Sequence, residues 1–82
     1  MGHYEKLLRN IENNPADVKF DDLRTLLTKT GGFNCRQGKG DHYVFSHPDL
    51  MEMLIVDSRG KKSPLKAIYV KKALKLYHQV TD

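Results

Sequence analysis

One histidine stands where a proton could be moved. His42 lies in the stretch Gly38-Lys39-Gly40-Asp41-His42-Tyr43-Val44-Phe45-Ser46-His47-Pro48. The glycines give a tight entry into a short strand, and Pro48 stops it. Histidine takes and gives a proton near neutral pH more readily than any other side chain. In a basic chain, a histidine beside a glycine turn raises the question of an acidic substrate such as RNA. RNA carries its own nucleophile, the 2′-hydroxyl. Cutting it needs a base for that proton, an acid for the leaving 5′-oxygen, and positive charge at the phosphate. His42 is the candidate acid or base, and Lys39, Lys61 and Lys62 are candidates for the phosphate. The plainer reading makes His42 an exposed strand residue and nothing more. No second catalytic histidine is evident: His47 falls on the other strand face, and His78 near a chain end.

Other constellations are weaker. Cys35, His42 and His47 match no common zinc spacing, so no metal is expected. Gly38-Lys39-Gly40 lacks the following helix that a phosphate-binding loop needs. Cys35 as a nucleophile has no evident charge pair in sequence, and reads as a buried structural thiol. Tyr43 and Phe45 could stack on bases, but alternating aromatics more often form core.

The chain has 82 residues, enough for one small domain. A domain of that size buries only roughly 60% of its unfolded surface, which favours a shallow surface site over a deep cofactor cavity; no cofactor is expected. A single cysteine excludes an internal disulfide and fits a reducing, cytoplasmic setting. No apolar run approaches the roughly 20 residues that span a bilayer, and the N-terminus has no signal-peptide pattern. Lys6 stands where a myristoylation signal needs Ser or Thr.

The net charge of +4 is unevenly placed. Residues 1–34 balance. Residues 35–57 carry a net −2, from Arg36 and Lys39 against Asp41, Asp49, Glu52 and Asp57. Residues 58–82 carry a net +6: Arg59, Lys61, Lys62, Lys66, Lys71, Lys72 and Lys75 against Asp82. Such a footprint suits a phosphate backbone; it also suits a solvated helix face.

The elements that must position these residues follow from periodicity. Residues 3–12 read as a helix with Tyr4, Leu7, Leu8 and Ile11 on one stripe, ended by Asn13-Asn14-Pro15. That stripe must dock on the domain or on a second copy. Asp21 or Asp22 is the expected N-cap of a second helix, with Leu23, Leu26 and Leu27 buried and Gly31-Gly32 as its stop. Strands are expected at 33–36, 41–47 and 51–56. Alternation puts Tyr43, Phe45 and His47 on a helix-covered face, and His42, Val44 and Ser46 on an open one. Ser63-Pro64 is the expected start of a last helix running to about His78, apolar on one side and basic on the other. The order predicts an α+β, two-layer domain: a three-stranded antiparallel sheet with helices on one face. Residues 20–78 form the core and 1–17 a helical extension. The layout resembles the double-stranded-RNA-binding-domain (dsRBD-like) fold with an extra N-terminal helix.

Over roughly residues 20–77 the chain resembles the HicA-type toxins of bacterial type II toxin–antitoxin systems. The resemblance rests on the helix ending at Gly31-Gly32-Phe33 and on Gly40-Asp41-His42-Tyr43-Val44-Phe45. A Gly60-Lys61 turn and a proline-started helix with Val70, Ala73 and Leu74 complete it. It implies a dsRBD-like fold, an mRNA-cleaving ribonuclease with His42 as its catalytic residue, and inhibition by a HicB-type antitoxin. The chain departs from the family at Asp41, where serine is common; a hydroxyl donor is lost and a negative charge gained. The basic residues Lys39, Lys61, Lys62, Lys66, Lys71, Lys72 and Lys75 are expected to hold RNA. The alternatives are an RNA-binding module without catalysis and a protein-interaction domain whose basic helix meets an acidic partner.

Overall fold

The computed structural model describes residues 2–61 and 63–81, with the side chains of His3 and Lys61 excepted. Its order is α1 (His3–Asn13), α2 (Phe20–Lys29), β1 (Asn34–Gln37), β2 (His42–Ser46), β3 (Leu54–Asp57), a 3₁₀ turn (Arg59–Lys61) and α3 (Ala67–Thr81). The sheet is antiparallel with β2 in the middle. Cys35 pairs with Phe45 across β1–β2, and His42 with Asp57 across β2–β3. The expected α+β layout is therefore present. No helix among the described residues is long and apolar enough to cross a membrane.

Period-two burial fixes the two faces of the sheet. Tyr43, Phe45, Leu54 and Val56 are buried against the helices, while Ile55 and His42 are exposed. Phe20 is the centre of the core: its ring lies 4.4 Å from that of Tyr43 and 6.0 Å from that of Phe45. Around it pack Leu23, Leu26 and Leu27 of α2, and Val70, Ala73, Leu76 and Tyr77 of α3. The α1 stripe docks within the chain: Ile11 is buried, and Leu7 and Leu8 are half-buried against the core. His78 ties the end of α3 to α1, its Nε2 2.9 Å from Glu12 Oε2.

Three expected boundaries are corrected. Helix α2 begins at Phe20, with Lys19 rather than Asp21 or Asp22 at the cap; both aspartates lie in the first turn, where their charge still faces the helix N-terminus. Burying Phe20 draws the helix start back to it. Strand β3 begins at Leu54 rather than Met51, and residues 51–53 are exposed. Helix α3 begins at Ala67 rather than at Ser63-Pro64. The Leu65 N–H donates to the Val18 carbonyl at 2.7 Å, and Leu65 is buried. That long-range bond pins the segment outside the helix, and the first α3 turn closes on the Lys66 carbonyl instead.

The two glycines after α2 serve different needs. Gly32 has φ +74, the left-handed stop. Gly31 supplies space: a Cβ there would stand 2.8 Å from the Leu27 carbonyl oxygen and 3.0 Å from the Tyr77 ring. Tyr77 is held in place by its hydroxyl, 3.0 Å from Thr30 Oγ1. Gly31→Ala should therefore destabilise the domain by about 1–3 kcal/mol, the usual range for overpacking, read as a lowered midpoint of urea unfolding.

Candidate active site

The hairpin between β1 and β2 places His42. The Gly38 N–H donates to the His42 carbonyl at 2.7 Å, closing the ladder, and the His42 N–H donates back to the Lys39 carbonyl at 3.2 Å. Gly40 sits in this turn at φ +63, a conformation that a side chain disfavours. Gln37 Nε2 donates to the Gly40 carbonyl at 3.2 Å. The result is a short, cross-braced turn immediately before the histidine.

The imidazole is exposed on the open face, and its Nδ1 lies 3.2 Å from the Lys39 carbonyl oxygen. A carbonyl only accepts, so this contact requires the proton on Nδ1. Nε2 then carries the lone pair. In the neutral ring the turn thus favours the tautomer whose Nε2 is left to accept a proton.

A second turn borders the same end of the sheet. Asp57 pairs with His42, and the Ser58 N–H donates to the Asp41 carbonyl at 2.8 Å. Asp57 Oδ1 accepts the Arg59 N–H at 2.9 Å. Arg59 has φ +53, rare for a residue with a side chain. Its Nη1 donates to the Pro64 carbonyl at 3.2 Å, and the side chain is exposed. Arg36 pairs with Val44 in the register and shares the open face with His42. Charge counting included both arginines but gave neither a role; strand pairing brings Arg36 to the face that His42 shares, and Arg59 follows two residues after Asp57, the partner of His42.

The expected cationic set divides. Lys39 adjoins His42 in the turn. Lys61 ends the 3₁₀ turn, and Lys62 lies outside the described residues. Lys66 precedes α3, and Lys71, Lys72 and Lys75 are exposed on it. Helix α3 belongs to the layer on the other side of the sheet, so these lysines do not surround His42. The three side chains weighed as metal ligands also separate. Cys35 is half-buried on the helix-covered face, and His42 is on the open face. His47 packs edge-on to Phe33 at 5.1 Å and accepts the Asp49 N–H at Nδ1. Among the described residues no group of three His, Cys, Asp or Glu side chains is placed to hold a metal ion.

Comparison of the chain with protein-family models, curated proteins and solved structures finds no match.

Proposed function

We propose that this chain is a HicA-like toxin: a cytoplasmic, metal-independent ribonuclease that cleaves mRNA and is held inactive by a HicB-type antitoxin. One observation carries the catalytic part, the exposed His42 whose Nδ1 is engaged by the Lys39 carbonyl and whose Nε2 is left as a base. In this reading Nε2 takes the 2′-hydroxyl proton. The 2′-oxygen attacks phosphorus, the bond to the 5′-oxygen breaks, and a proton from the imidazolium or from water completes the leaving group. Lys39, Arg36 and Arg59 offset the charge that gathers on the phosphate.

The products follow from that chemistry. An oligoribonucleotide incubated with the chain in chelator should yield a 2′,3′-cyclic phosphate and a 5′-hydroxyl end. A substrate with 2′-deoxyribose at the cut position, or DNA of the same sequence, should remain whole. Mass spectrometry of the fragments checks this. Fragments with 5′-phosphate ends, or cleaved DNA, would refute the mechanism.

A second reading has its own observation. Two carboxylates, Asp41 and Asp57, adjoin His42 in chain and register. Their charge opposes a phosphate at His42 and favours a domain that holds RNA through the α3 lysines without cleaving it. Intact RNA bound with a steep salt dependence would select it.

A further inference from the structure

The edges of the sheet differ. Beside β1, the groove against α2 is polar and charged, lined by Asp21, Arg24 and Lys29 among others. Beside β3, a groove of about 390 Å³ runs between the strand and α3. Its walls are Met53, Leu54, Ile55, Ile68, Tyr69 and Lys72. Met53, Ile55 and Ile68 are 54%, 53% and 71% exposed, and Met51, two residues before Met53, is fully exposed. This is where large apolar side chains gather on the surface.

The backbone at this edge is also open. In an antiparallel ladder, alternate residues turn their N–H and C=O toward the same neighbour. The Ser58 N–H bonds to Asp41, so Val56 and Leu54 also face β2. Ile55 and Asp57 therefore aim their N–H and C=O away from it, and no strand among the described residues pairs with that edge. An extended chain laid there gains main-chain hydrogen bonds, with one row of side chains beside Ile55 on the open face and the alternate row beside Ile68 and Lys72 on the α3 side.

Charge decides the occupant. Lys72 lines the groove, and Lys75 follows it on the same face of α3, one turn on. Lys72 already holds a carboxylate, with Nζ 3.7 Å from Glu52 Oε2. A second copy would bring its own Lys72–Glu52 pair, which adds no net charge, and a second exposed Lys75, which repels the first. An acidic segment would meet no such repulsion.

We propose that the β3 edge and the α3 wall form a docking site for an extended peptide of another protein, alternating apolar and acidic side chains, which joins the sheet as a fourth strand. The proposal does not depend on catalysis at His42, which lies on the central strand opposite Asp57.

Fluorescence anisotropy tests it. The full chain is titrated into a labelled synthetic peptide alternating valine and glutamate. Saturable binding is expected, with none for a peptide alternating valine and lysine. Ile68→Glu and Lys72→Glu, both at exposed positions, should each weaken binding by about tenfold or more while the melting temperature holds. The Ile55 and Asp57 amides should gain protection from hydrogen exchange when the peptide binds. Absence of binding, equal binding of both peptides, or binding indifferent to both substitutions overturns the proposal. So does a wild-type dimer in sedimentation equilibrium that Ile68→Glu dissolves, because that gives the edge to a second copy.

Discussion

His42→Ala should lower the rate of RNA cleavage by about 10²- to 10⁴-fold, the range that general acid–base catalysis contributes. It should leave stability within about 0.5 kcal/mol, as expected for an exposed position. The measurement pairs single-turnover cleavage with thermal unfolding of the same samples. Added imidazole should restore part of the lost rate, because the variant keeps the turn and the cations and lacks only the basic nitrogen. The orienting partner is the Lys39 main-chain carbonyl, so no side-chain truncation removes it. A folded alanine variant that cleaves as fast as wild type would end the assignment of His42.

The faces of the sheet were legible because period two is a local property. Tyr43 and Phe45 were expected inside and His42 outside, and that is where they lie. The helix stripes were legible for the same reason. Leu23, Leu26 and Leu27 needed only their spacing to declare a buried face. What stayed hidden depends on partners far along the chain. Ser63-Pro64 has the local chemistry of a helix start, but the bond from Leu65 to Val18 decides otherwise. The lysines expected to hold RNA looked like one basic surface because sequence gives their sum. The layering of helix and sheet divides them, leaving Lys39 beside His42 and the α3 lysines beyond the sheet. Arg36 comes to the His42 face through strand register, and Arg59 turns at positive φ two residues past Asp57, neither of which composition can reveal. The apolar β3 edge was hidden too, since Met51 to Val56 reads as a strand apolar enough to be central or well covered.

Phe20→Ala should destabilise the domain by about 3–5 kcal/mol, the usual range for a buried phenylalanine. For a chain of this length, total stability of roughly 0.05–0.15 kcal/mol per residue is of the same order. The variant should therefore lose a large part of its stability, read as a much lower urea midpoint and an earlier loss of the near-ultraviolet circular dichroism signal. The size of the effect follows from what the ring joins. It is fully buried, opens α2, and packs on both inward aromatics of the central strand. Those residues alternate with His42 and Val44, so the ring holds from beneath the strand that carries the histidine. Phe20→Leu separates packing from mere presence. It keeps an apolar side chain at the site, and should cost less than the alanine change while still lowering the unfolding midpoint. If Phe20→Ala unfolds at the wild-type denaturant concentration, the core is not centred on this ring.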